Sequence, residues 1–180
     1  LIMEGTKLHA DKILVAYFIQ KGKETSGSKK IAEQVVAALK EKGHDSTEFA
    51  ITPVETYPED KATFETVTRL EKDNRTRPAI VDKVGKMHDY KYVVVVAPNW
   101  YDDVPMAVYT FFDEYDFGGK RVVPVINHDG TGHDKVRESI RHFLPHTWVT
   151  EGVGISRASE DANEVAKAIE QLFMPSSSRY

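Results

Sequence analysis

The 180-residue chain contains no cysteine. Disulfides, thiolate metal sites and a cysteine nucleophile are therefore excluded, and the composition fits a reducing compartment such as the cytoplasm. Positive charge is in short supply: 24 Lys and Arg against 28 Asp and Glu leave a net charge of −4. No basic footprint marks the chain for a nucleic-acid backbone. No apolar run reaches the roughly 18 residues of a membrane span, and the opening LIMEGTKLHADK holds no apolar segment of signal-peptide length. The expectation is a cytoplasmic protein with neither membrane nor nucleic acid as partner. A G-x-G-x-x-G dinucleotide fingerprint and a G-x-S-x-G nucleophile elbow are also missing, which argues against a Rossmann site and against hydrolase chemistry.

What is present is an ordinary globular composition, 41% apolar and 29% charged, at a length that favours one domain. Residues 12–18 (KILVAYF), 91–97 (KYVVVVA) and 121–127 (RVVPVIN) are near-continuous β-branched and aromatic runs. That pattern predicts strands covered on both faces in a parallel sheet. Between them run helical stripes: Ile31, Val35, Val36 and Leu39, stopped by Lys42-Gly43; then Val104, Val108, Phe111, Phe112 and Tyr115. Val136, Ile140 and Phe143 form a third stripe, stopped by Pro145, and Val165, Ile169 and Leu172 a fourth. Weaker strands are predicted at 47–51 and around 148–153. The alternation reads as an α/β doubly wound sheet of about five strands, one domain over 12–173, followed by a frayed Ser-rich tail at 174–180. The 52–88 segment departs from it, with one polar helix near 60–73 that serves either as a lid or as a surface insertion.

In such folds ligands bind beyond the carboxyl ends of the strands, so segments 19–28, 98–104 and 127–133 must meet there. The first contains GKETSGSKK, whose Gly22 and Gly27 have P-loop spacing. A P-loop needs Lys before Ser or Thr, whereas Ser28-Lys29 is reversed. One position turns a side chain about 100° around a helix, which aims Lys29 away from any phosphate. Strand 91–97 also runs into Pro98 rather than a magnesium-holding Asp. What remains suits a phosphate monoester without metal: the hydroxyls of Thr25, Ser26 and Ser28, with Gly27, before a helix N-terminus. The local alternative is that Ser26 or Ser28 is simply the N-cap.

The second segment, APNWYDDVP, puts Trp100 and Tyr101 in a loop, where a flat heteroaromatic ring would cover one of them. The alternative is packing on the helix beginning near Val104. The third, NHDGTGHD, is a Gly-rich turn whose Gly130 and Gly132 allow close backbone approach. A phosphate pocket, an aromatic wall and a backbone-lined edge are the parts of an FMN site. Other constellations are weaker. His142 and His146 have helical spacing but Pro145 lies between them, and no metal site is expected. The acidic run Asp102, Asp103, Asp113, Glu114 and Asp116 is either a docking face for a basic partner or, as favoured, a solvated surface.

The chain resembles flavodoxin-fold FMN proteins, in the branch with YFSRTGNT and PIWWGTLPMPVYTF patterns. The matching residues are AYF (16–18), KKIAEQV (29–35), PNWYDDVPMAVYTFFDEYDFGGK (98–120) and NHDGTG (127–132), with YPED (57–60) and RPAI (77–80). The resemblance implies a three-layer fold with a five-stranded parallel sheet in order 2-1-3-4-5 and noncovalent FMN. It also implies one- or two-electron chemistry, as an electron carrier with a redox protein partner or as an NAD(P)H-dependent reductase of quinone-like acceptors. Carried over by position, Thr25, Ser26, Gly27 and Ser28 would hold the phosphate. The stretch Pro98, Asn99, Trp100, Tyr101 and Asp102 would meet the ring, with Trp100 or Tyr101 stacked on it. His128, Asp129, Gly130 and Gly132 would line its other edge.

Three departures stand out. Ten residues separate Phe18 from Lys29 where the pattern has six, Ile19 replaces a Ser, and Asp102 replaces a Gly. The first two support, as the alternative, a binding module that kept the fold while FMN binding weakened or was lost. Asp102 and Asp103 are also expected to place negative charge near the ring and so to disfavour its reduced, anionic form.

Overall fold

The computed structural model describes residues 12–23, 25–157 and 162–175. Its strands are β1 (Lys12–Phe18), β2 (Ser46–Ile51), β3 (Tyr90–Pro98) and β4 (Arg121–His128), with β5 (Trp148–Val149) and β6 (Val153–Ser156) sharing the last position beside β4. Every pairing is parallel and the order is β2-β1-β3-β4-β5. The helices are α1 (Gly27–Glu41), α2 (Lys61–Asp73), α3 (Met106–Glu114), α4 (Asp134–Phe143) and α5 (Ala162–Leu172). The sheet order is the one the resemblance implied.

The central strands bury both faces. Val93, Val95 and Ala97 of β3 enter one core with α3 and α4 residues such as Phe111, Val136 and Ile140. Val94 and Val96 enter the other, with Val35 and Leu39 of α1 and Ile169 and Leu172 of α5. Each such valine contributes about 1.5–3 kcal/mol over an exposed one, and Val94→Asp would leave an unpaired charge in the second core.

Local chemistry sets the helix ends. Ser26, with φ −63° and ψ 149°, caps α1 by accepting from Lys29 N. At the other end Gly43 (φ +84°) donates to Lys40 O while His44 N donates to Leu39 O, a Schellman stop. Helix α3 is buried through Met106–Phe112 rather than along one stripe. The 52–88 segment covers its outer side: Thr110 Oγ1 donates to Pro78 O at 2.7 Å, and Val84 N to the Tyr115 hydroxyl at 2.7 Å.

The predicted strand at 148–153 is broken in two. Pro124, in the middle of β4, has no N–H to give a neighbour. Residues 150–152 leave the ladder between the pairs Val122–Val149 and Val125–Val153, which bracket that proline. Gly152 adopts φ +67°, and a Cβ there would lie 2.5 Å from Pro124 O. The Gln171 amide patches the gap, accepting from Gly152 N and Thr150 Oγ1 and donating to Gly152 O.

Lys120 closes the opposite end of the sheet. It is 7% exposed and donates from Nζ to Met87 O at 2.9 Å and Tyr90 O at 2.5 Å. Burial pulls its pKa below the usual lysine value. Of the tail expected to fray, Met174 and Pro175 follow α5 without regular structure, and 176–180 lie outside the described residues.

Candidate functional site

The loop after β1 absorbs its extra length in two successive turns, closed by Lys23 N to Gln20 O and Ser26 N to Lys23 O. It delivers Thr25, Ser26 and Gly27 to the start of α1. The Ser26 hydroxyl is the N-cap acceptor, at 3.2 Å from Lys29 N. Ser28 is 3% exposed and donates to Asn127 Oδ1 at 2.8 Å. That bond ties the first loop to the end of β4. Asn127 is itself only 5% exposed, and its Nδ2 has no acceptor among the described residues. A Cβ on Gly27 would sit 3.4 Å from this Nδ2, so the glycine keeps the donor uncovered. The first N–H groups of α1 have no intrahelical acceptor, and they add a partial positive field.

The second loop is a tight turn. Trp100 N donates to Asp103 O, and Asp103 N returns to Trp100 O. Between them Tyr101 and Asp102 both have positive φ, 59° and 68°. This is type I′ geometry, which ordinarily selects Asn and Gly; a tyrosine there is strained. Helix α2 holds it in place. Thr68 Oγ1 bonds the Tyr101 hydroxyl at 2.8 Å, Lys72 Nζ donates to Tyr101 O, and the Arg69 guanidinium lies 4.1 Å from the Tyr101 ring centre. The helix near 60–73 therefore covers this turn. Trp100 faces the other way, met at near-perpendicular angles by Phe18, Tyr57 and Phe64 with centroids 5.1–5.8 Å away.

The third loop is fastened to the second by Asn99, whose Nδ2 donates to Gly132 O and Thr131 Oγ1. Gly130 (φ +100°) donates to His128 Nδ1 at 2.9 Å, and Gly132 has φ +77°. A Cβ on Gly154 of β6 would meet His128 and His133 at 3.1 and 2.9 Å. Asp129 pairs with Arg157 at 3.4 Å.

These loops enclose a cavity of about 280 Å³. Of the residues singled out from sequence, Thr25, Ser26, Gly27, Ser28, Pro98 and Trp100 line it. Asn99, Tyr101, Asp102, His128, Asp129, Gly130 and Gly132 stand behind or beside it as supports of the rim. Phe18, Ile19, Gln20, Lys23, Asn127 and Arg157 complete the lining. Asn127 carries a sequence signal, a polar residue ending a buried strand at the ligand side. Arg157 carries none.

The electrostatics differ from expectation at Asp103. It is 4% exposed and turned inward, accepting from Tyr109 OH at 2.6 Å and from Arg75 at 3.2 Å. Its charge is compensated there; burial, with that carboxylate beside it, drives the Tyr109 pKa above the usual tyrosine range. Of the pair, only Asp102 keeps an exposed carboxylate, 3.5 Å from Lys135. The rest of the acidic run is partnered too: Asp113 by Arg77, Glu114 by Lys83, and Asp116 by the Gly118 N–H. Behind Trp100, Tyr57 donates to Glu71 at 2.6 Å. Burial raises the Glu71 pKa and this hydrogen bond opposes the rise; the same burial and partner raise Tyr57. Among the described residues no group of three or more His, Asp or Glu forms a ligand set, and no helix is long and apolar enough to cross a membrane.

A flavodoxin family model matches residues 12–172. The chain belongs to the flavodoxin family. Solved flavodoxin-like structures share its fold at low identity. A candidate flavoprotein from Bacteroides eggerthii aligns with TM-score 0.75 and 24% identity over 92% of this chain and 100% of the other. One from Bacteroides uniformis gives 0.73 and 25% over 89% and 99%. A flavoprotein solved in complex with FMN from Lactobacillus acidophilus gives 0.68 and 20% over 89% and 99%. No curated protein matches the chain.

Proposed function

We propose that this flavodoxin-family chain binds FMN noncovalently in the cavity beneath Trp100 and serves in electron transfer. One observation carries the reading: the free Nδ2 donor of buried Asn127 stands at the N-terminus of α1, among the hydroxyls of Thr25, Ser26 and Ser28. This donor faces the cavity rather than the core, and a phosphate oxygen there would accept from it in a charge-assisted hydrogen bond. Lys23 and Arg157 add positive charge at the rim. The residues fit the group.

FMN supplies reversible one- or two-electron chemistry when bound. The protein binds and orients it. The hydroxyls, the helix N-terminus and Asn127 would hold the phosphate. Trp100, fixed by three perpendicular rings, would offer a flat wall and exclude water. Among the described residues the ionisable side chains in the lining are Lys23 and Arg157, with no carboxylate or imidazole. The absence of cysteine supports a cytoplasmic setting.

Purified protein is expected to be yellow, or to quench the fluorescence of added FMN with one-to-one stoichiometry. No uptake of FMN would leave the cofactor-free binding module as the function. Steady oxidation of NADH or NADPH with a quinone acceptor would make the protein a reductase instead.

A further inference from the structure

On the other flank of Gly27 a second cavity of about 170 Å³ opens between α1 and β6. Gly27, Asn127 and Arg157 line both cavities. A phosphate held against Gly27 and Asn127 therefore sits at their common boundary. FMN ends at that phosphate and makes no use of the second space.

The second cavity has the composition of a nucleotide half-site. Ile31 and Ile155, 7% and 6% exposed, give it apolar walls. Lys30 and Arg157 bring positive charge, and Gln34 brings an amide. Among the described residues the Lys30 ammonium and the Gln34 amide have no partner. A dry cavity of about 150 Å³ accommodates a benzene ring, so this volume takes one planar base with its sugar and phosphate towards the opening. The Nδ2 of Asn127, with no acceptor among the described residues, belongs to the wall the two cavities share.

We propose that the site accepts the dinucleotide form of the flavin, FAD, as well as the mononucleotide. The flavin-proximal phosphate occupies the Ser26–Ser28 loop, the second phosphate lies between Lys30 and Arg157, and the adenine enters the notch between Ile31 and Ile155. The inference rests on the flavin reading of the first cavity, and it adds a second nucleotide subsite to it.

The test is calorimetric titration of the full-length apoprotein with FMN, FAD and ADP-ribose, repeated in Lys30→Ala and Gln34→Ala. FAD is expected to bind at least as tightly as FMN. Lys30→Ala is expected to weaken FAD about tenfold, as loss of a charged phosphate contact does, and FMN less than about twofold on the same scale. Gln34→Ala should weaken FAD alone. FMN binding with FAD at least about tenfold weaker, or equal losses for both flavins in Lys30→Ala, would overturn the inference and leave the FMN site standing. ADP-ribose binding beside bound FMN would assign the cavity to a separate dinucleotide, overturning it too. No heat with either flavin would remove the flavin reading and this inference together.

Discussion

The Ser28 hydroxyl donates to Asn127 Oδ1 at 2.8 Å, joining residues 99 positions apart. The bond orients the Asn127 amide so that its oxygen is used inside the protein while its nitrogen, without an acceptor among the described residues, faces the cavity. Asn127→Ala strands a buried hydroxyl and deletes the ligand donor. It should cost about 1–2 kcal/mol in urea unfolding of the apoprotein. FMN affinity should fall about tenfold by calorimetry. Unchanged affinity would show that the amide is not a phosphate ligand.

The turn at Tyr101 and Asp102 stores backbone strain. Asp102→Gly should release about 1 kcal/mol of left-handed strain and remove the exposed carboxylate of that turn. On the proposed placement of the flavin, less negative charge near the ring would stabilise its anionic reduced form, so the midpoint potential should rise by on the order of 10–30 mV, the size of an exposed charge effect. A redox titration giving identical potentials would mean that Lys135 already cancels the charge.

Glu71 supplies a pH signature. Its folded-state pKa is raised by burial, so the native protein holds the proton more tightly than the unfolded chain. The associated stability is complete below the ordinary glutamate value and is lost as pH rises through the raised one. Glu71→Gln cannot ionise and still accepts from Tyr57, so the variant should lack that decline. Thermal melts of both proteins across the range from about pH 4 to 7 should diverge, with the variant gaining on the wild type as pH rises. Parallel curves would refute the assignment.

Gly152 is irreplaceable on steric grounds. Alanine there would press on Pro124 O at 2.5 Å in a positive-φ conformation, and should cost about 2 kcal/mol or more. Denaturant unfolding checks this, and a loss within about 0.5 kcal/mol, typical of an indifferent surface site, would mean the strand break relaxes freely.

Much of the architecture was legible because parallel central strands are apolar on both faces whatever their neighbours. KYVVVVA and RVVPVIN announce themselves for that reason. The split of the fifth strand was not, since it depends on a proline in a different strand. At the site, the hydroxyl loop and the aromatic pair carry local signals, but the different surroundings of Trp100 and Tyr101 do not. Tyr101 is held by Thr68, Arg69 and Lys72 reaching over from α2. The inward turn of Asp103 likewise depends on Arg75 and Tyr109, and Arg157 reaches the cavity only through the sheet's last strand.

Lys120 offers a use beyond architecture. The Lys120 Nζ, donating to two carbonyls at 2.9 and 2.5 Å in a residue 7% exposed, is shielded from an acylating reagent. In a mass-tagging experiment the solvent-facing amines should react at once, while this one should stay unmodified until the domain opens. Its tagging rate would then time the opening of the molecule, and a flavin that stabilises the native state should slow that clock in proportion to its affinity.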